Sequence, residues 1–85
     1  MKRPQLLQER QKTHGDFSKN AAISQTIKDI FYESGAGELC PVHREVLDMI
    51  ALKLSRILSG HAQFKDHWND LSGYSLLAME VCDED

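Results

Sequence analysis

The chain has 85 residues with 13 Asp or Glu against 10 Lys or Arg, a formal net charge of -3. This acidic balance argues against general nucleic-acid binding, and no apolar run approaches the roughly 18 residues of a membrane span. The first residues lack the apolar core of a signal peptide, so we expect a cytoplasmic protein without a membrane partner. A single domain over residues 1–85 of this size buries only about 60% of its unfolded surface, which favours a homo-oligomer, with a dimer preferred.

Four helices are predicted in chain order, each bounded by residue types that favour helix ends. They cover residues 5–12, 16–34, 41–59 and 64–82. Asp16 is the predicted N-cap of the second helix and Pro41 opens the third, which stops at Gly60. No period-2 segment indicates a strand. The predicted fold is all-α: a compact antiparallel helical bundle of three long helices plus a short N-terminal helix.

One stripe of the predicted fourth helix combines acidic and apolar residues. At 100° per residue, five positions fall within an arc of about 80°. They are Asp66, Asp70, Gly73, Leu77 and Val81. We expect Leu77 and Val81 to face the core, which puts Asp66 and Asp70 at its open end. Two carboxylates held there need a metal ion, a cation or a raised pKa.

Lys53 and Arg56 lie at i and i+3 near the end of the third helix, and the turn after them leads to Asp66. The hairpin therefore brings opposite charges together. One interpretation is a structural network of salt bridges. The other is a site in which Lys53 and Arg56 bind phosphate oxygens while Asp66 and Asp70 hold Mg²⁺.

Other side chains extend this second interpretation. Glu45 and Asp48 form a Glu-x-x-Asp pair that could also hold a divalent ion, or could be solvated surface. Asn20 projects from the apolar stripe of the second helix, where its amide needs partners. Asn20, Asp16 and Tyr74 are candidates to orient a ligand.

Gly73 beside Tyr74 would permit close approach of a ligand or of a packing helix. The four histidines lack a consistent ligand spacing. We expect His61 and His67 at the surface near a helix start rather than in a zinc site.

Two blocks resemble a family of small phage and prophage proteins of uncharacterised function. They are RQKTHGDFSKN over residues 10–20 and KLSRILSGHAQFKDHWNDLSGY over residues 53–74. The resemblance implies that the shared residues carry the function of the family. These are Gly15, Asp16, Asn20, Lys53, Arg56, Asp66, Asp70, Gly73 and Tyr74.

More remotely, the chain resembles the MazG-type all-α nucleotide pyrophosphohydrolases, which use Mg²⁺ to split nucleoside triphosphates into monophosphate and pyrophosphate. Those enzymes have a Glu-x-x-Glu pair followed by Glu-x-x-Asp. Here Glu45-x-x-Asp48 fits the second pair and no Glu-x-x-Glu precedes it. The resemblance implies a nucleoside phosphate bound with Mg²⁺ and possible release of pyrophosphate. The alternative is a non-enzymatic helical protein-protein interaction module with a structural charged cluster.

Overall fold

The computed structural model describes residues 16–83, which form three long α-helices. Helix α1 is Phe17–Glu33, α2 is Pro41–Arg56 and α3 is Lys65–Glu80. A short 3₁₀ helix, Ala36–Glu38, connects α1 to α2, and a π-helical turn, Ile57–His61, follows α2. No strand occurs within residues 16–83, which confirms the all-α prediction. The predicted short helix at residues 5–12 lies outside the described residues.

The ends of the helices follow from the residue types found there. The Asp16 side chain accepts a hydrogen bond from the Ser18 N–H at 3.4 Å, which confirms its role as the N-cap of α1. Pro41 begins α2, where its missing N–H costs nothing. Gly35 and Gly60 have φ of 99° and 106°, the left-handed conformation that allows the chain to turn after α1 and after α2.

Helix α2 is the central helix, with α1 and α3 packed antiparallel to it on either side. The start of α1 meets the π-helical turn after α2 through Asn20 and Ser59. The start of α2 meets the end of α3, where His43 Nε2 lies 3.0 Å from the Ala78 carbonyl oxygen. These contacts join opposite ends of neighbouring helices, as an antiparallel arrangement requires.

The apolar core of the described residues is thin. Its buried apolar residues are Ala36, Val46 and Ala51, and the largest side chains with almost no exposure are His67 and Ser55. Many large apolar side chains keep two fifths or more of their surface in water, among them Ile30, Leu58 and Trp68. No helix within residues 16–83 combines the length and apolarity needed to cross a bilayer.

The face that α3 turns toward the core differs from the predicted one. Leu77 and Val81, expected to face inward, are 48% and 45% exposed. The inward residue is His67, which is fully buried with its ring edge-on to Phe64 at 4.9 Å between ring centres, so its predicted surface position was wrong. The inward face is rotated by roughly 60–80° from the Asp70 stripe at 100° per residue. Periodicity locates an apolar stripe, but here a buried histidine and small residues such as Ala78 make the close contact with α2.

Candidate functional site

Lys53 and Asp70 form an ion pair across the contact between α2 and α3. The Lys53 Nζ lies 2.8 Å from Asp70 Oδ2. The lysine side chain is 6% exposed and the aspartate side chain 41% exposed. A buried ammonium group loses its hydration, so Lys53 requires this counter-ion. Asp70 keeps contact with solvent and can still interact with a ligand.

The hydrogen bond from Lys53 lowers the pKa of Asp70 below its ordinary value of 3.8. Partial burial acts in the opposite direction, while the charges of Lys53, His67 and Arg56 lower the pKa further. Asp70 is therefore an ionised carboxylate at neutral pH. Oδ2 is the oxygen that binds Lys53, and the Asp70 side chain as a whole is 41% exposed.

Arg56 and Asp66 complete a group that we call the charged cluster, consisting of Lys53, Arg56, Asp66 and Asp70. Arg56 is partly exposed in the last turn of α2, and its charge reaches Asp70. Asp66 is exposed in the first turn of α3, where the helix dipole favours a carboxylate. It precedes Asp70 by one turn, about 6 Å along the axis. The structure thus pairs Lys53 with Asp70, brings the charge of Arg56 within range of Asp70, and places Asp66 one turn earlier on α3.

Asn20 is buried at the same end of the bundle, with 4% of its surface exposed. The Ser59 Oγ lies 2.5 Å from Asn20 Oδ1 and 2.7 Å from the Ser55 carbonyl oxygen. Because a hydroxyl has one proton, it can donate to only one of these oxygens. Donation to Ser55 would require the amide of Asn20 to turn its NH₂ toward Ser59. The interior position of Asn20 matches the prediction, and Ser59 is its partner.

The remaining ligand-orienting candidates lie around this end of the bundle. Asp16 is exposed and caps α1, so its carboxylate already has a structural role. Tyr74 is partly exposed on α3, one turn after Asp70. A Cβ added at Gly73 would meet no atom within 4 Å. The close helix contact considered for Gly73 is therefore absent within residues 16–83, and the space beside it is open.

Glu45 and Asp48 occupy a different part of α2. Glu45 is exposed and lies eleven residues before Arg56, about 16 Å along the helix. Asp48 Oδ2 accepts a hydrogen bond from the Tyr32 hydroxyl at 3.4 Å. Asp48 Oδ1 is buried and has no hydrogen-bond partner among the described residues. These two carboxylates are a separate pair from Asp66 and Asp70.

A metal ion would need ligands from outside this part of the chain. Within residues 16–83, no group of three or more His, Cys, Asp or Glu side chains is placed to hold one. Mg²⁺ is commonly bound by one or two carboxylates plus substrate phosphates and water. Asp66 and Asp70 suit that mode better than a site made of protein ligands alone.

Two contacts were not anticipated from the sequence. Ser59 reaches Asn20 from a different helix, 39 residues away. Cys82 Sγ lies 3.6 Å from His43 Nε2, again 39 residues apart, and joins the end of α3 to the start of α2. No local spacing signals either pair. The sequence signal for the contact between Asn20 and Ser59 is the polar residues near the end of α2, compared with Asn20 on a helical wheel.

No curated protein and no solved structure shows significant similarity to the chain. One protein family does match, and its description states no function. This agrees with the expectation of an uncharacterised family. The model of the family described as "Domain of unknown function (DUF6378)" matches residues 3–82, and the chain belongs to this family.

Proposed function

We propose that this is a cytoplasmic protein of phage or prophage type, and that its charged cluster binds a nucleoside phosphate together with Mg²⁺. The observation that carries this proposal is Asp70, an ionised, 41% exposed carboxylate anchored by a buried lysine and close to the charge of Arg56. An ionised carboxylate next to cationic groups offers both signs of charge. A complex of Mg²⁺ and phosphate carries both signs as well.

Arg56 is the direct phosphate ligand in this proposal. Arg56 is partly exposed, and an arginine guanidinium can bind two phosphate oxygens at once. Lys53 has a different role, since its ammonium is buried against Asp70. It attracts the phosphate through its charge and fixes the orientation of Asp70.

Asp70 and Asp66 are the carboxylates that would hold Mg²⁺. Asp70 offers a partly exposed carboxylate, and Asp66 offers an exposed carboxylate one turn earlier. Phosphate oxygens and water fill the other positions of the ion. Glu45 and Asp48 form a second candidate pair, at which a second ion could bind independently.

The nucleoside would lie over the open space beside Gly73. Tyr74 can stack on a base or donate a hydrogen bond there. Asn20 and Asp16 lie at the same end of the bundle and are the other groups proposed to orient the ligand.

The resemblance to the nucleotide pyrophosphohydrolases extends the proposal to a reaction. Water would attack the α-phosphorus, and the bond to the bridging oxygen of the β-phosphate would break. The products would be a nucleoside monophosphate and pyrophosphate. Mg²⁺ would supply polarisation of the phosphate, and Arg56 would stabilise the charge that develops on its oxygens.

The test is thermal unfolding of the full chain with nucleoside mono- and triphosphates, each with Mg²⁺ and with a chelator. A ligand at about 100 times its Kd should add about 2.7 kcal/mol to the free energy of unfolding, a shift of several degrees. Pyrophosphate release from any triphosphate that binds then tests turnover. A panel without a Mg²⁺-dependent shift would overturn the proposal.

Asp66→Asn is the variant for this test because Asp66 is exposed and lies outside the Lys53 ion pair. Asp29→Asn is its matched control, an exposed aspartate on α1 changed in the same way. We expect Asp66→Asn to abolish the Mg²⁺-dependent shift and Asp29→Asn to retain it. Equal shifts in both variants would remove Asp66 from the site.

The burial of Lys53 favours a second candidate function. A lysine side chain that is only 6% exposed is well suited to fix the packing of α2 against α3. The protein would then be a non-enzymatic helical interaction module with a structural charged cluster. This function predicts no nucleotide-dependent shift, and normal partner binding in Asp66→Asn.

A further inference from the structure

We propose that an apolar surface on the bundle is the interface between two copies of this chain. We call this surface the apolar face. It consists of one stripe on α1, one stripe on α2 that continues into the π-helical turn at Leu58, and Leu39 between them. Its members are Ile23, Ile27, Ile30, Leu39, Leu47, Ile50, Leu54 and Leu58.

The two stripes follow helical spacing and lie beside each other. The α1 residues are at i, i+4 and i+7, and the α2 residues are at i, i+3, i+7 and i+11. An open cavity of about 210 Å³ lies between α1 and α2, lined by Phe31 and Leu47 among others. A second, of about 320 Å³, reaches Ala78 of α3 and shares Leu39 and Leu47 with the first. The depression is therefore continuous from α1 to α3.

A third open cavity, of about 260 Å³, lies on α1 and shares no lining residue with the other two. It is lined by Ala22, Ile23, Thr26 and Ile27. Among residues 16–83, no Asp, Glu, Lys or Arg lines any of the three cavities, and His43 is the one ionisable side chain in their linings. An uncharged surface can pair with itself about a two-fold axis without burying unpaired charge.

The apolar face leaves large side chains in water. Ile30 is 57% exposed, Leu58 62% and Leu39 40%, and the other five members are partly exposed. Burial of each such side chain is worth up to roughly 1.5–3 kcal/mol. Since the described residues contain only three buried apolar residues, cover for this surface would enlarge a small core.

The 17 residues of the sequence outside residues 16–83 contain few large apolar side chains. Residues 1–15 contain Met1, Leu6 and Leu7 as their only large apolar residues, and residues 84 and 85 are acidic. An identical copy offers the matching stripes.

The size of the surface fits a modest dimer interface. The stripe on α1 is about 10 Å long and the stripe from Leu47 to Leu58 about 16 Å, and packed helix axes lie about 8–10 Å apart. Together with the adjoining part of α3, the footprint is a few hundred Å² per partner, below the roughly 800 Å² of a standard interface and in the range of weak, transient ones. We therefore expect dissociation at roughly micromolar concentrations.

Sedimentation equilibrium of the full chain over a wide concentration range tests the proposal. Leu58→Glu and Ile30→Glu each place a carboxylate on the apolar face, the first in the π-helical turn after α2 and the second on α1. Leu76→Glu is the matched control, because Leu76 is 59% exposed and lies about 160–200° from the inward face of α3. Circular dichroism verifies that each variant is helical.

We expect a dimer for the wild type and for Leu76→Glu. In both face variants the dimer dissociation constant should be roughly a hundredfold higher than in the wild type, because dimerisation would bury a carboxylate. A wild type that stays monomeric at millimolar concentration would overturn the proposal and leave the face to a different partner. A dimer unaffected by both face variants would also overturn it. Neither result bears on nucleotide binding, which is measured separately by ligand-dependent unfolding.

Discussion

Lys53 Nζ and Asp70 Oδ2 meet at 2.8 Å, with the lysine side chain 6% exposed and the aspartate side chain 41% exposed. The two partners therefore depend on each other unequally. Asp70 without Lys53 would still be hydrated, whereas Lys53 without Asp70 would be a buried charge lacking its counter-ion. This asymmetry allows the structural role of the pair to be measured separately from any ligand.

Asp70→Asn should lower the Tm by several degrees, since it leaves the buried ammonium of Lys53 without its counter-charge. Lys53→Met removes the buried charge and retains most of the apolar stem, so it should destabilise less. The double variant should be more stable than Asp70→Asn alone. Thermal unfolding of the three variants measures this difference, and additive effects would show that the pair is not coupled.

The same pair predicts a dependence of stability on pH. The pKa of Asp70 is lower in the folded protein than its ordinary value of 3.8, so folding favours the ionised form. The resulting stabilisation is fully present above the unfolded pKa and is lost as the pH falls through the folded pKa. Between about pH 5 and pH 3, the free energy of unfolding should fall more steeply in the wild type than in Asp70→Asn. Urea unfolding at a series of pH values gives both slopes, and parallel curves would contradict the prediction.

Helix boundaries and the meeting of Lys53 with Asp70 could be predicted from the sequence because they depend on local signals. Caps, glycines and proline mark the ends, and a tight turn after α2 leaves opposite charges on facing helices. The rotation of α3 could not be predicted in this way. Whether His67 or Leu77 faces α2 depends on close packing between helices, which periodicity within one helix does not encode. The contact between Asn20 and Ser59 likewise depends on packing between separate segments of the chain and could not be predicted from either segment alone.

Asn20→Ala should lower the free energy of unfolding by about 1–3 kcal/mol, because it removes a buried amide that contacts Ser59. Ser24→Ala is the matched control. Ser24 is equally buried, one turn later on α1, and makes no side-chain hydrogen bond within the described residues. Urea unfolding should show a much smaller loss for Ser24→Ala. Similar losses in the two variants would mean that Asn20 contributes through packing rather than through its amide.

Gly60 and Gly73 should respond to alanine in opposite directions. Gly60 has φ of 106°, a conformation that costs an L-residue roughly 1–2 kcal/mol, so Gly60→Ala should destabilise the protein. Gly73 is helical with open space where a Cβ would stand, so Gly73→Ala should stabilise α3 by about 0.5–1 kcal/mol. Urea unfolding of both variants below the dimer dissociation concentration measures these effects.

If Gly73→Ala is stabilising but weakens the Mg²⁺-dependent nucleotide shift, the ligand approaches the helix at Gly73. If it destabilises the isolated chain, the space beside Gly73 is filled by a contact from outside residues 16–83.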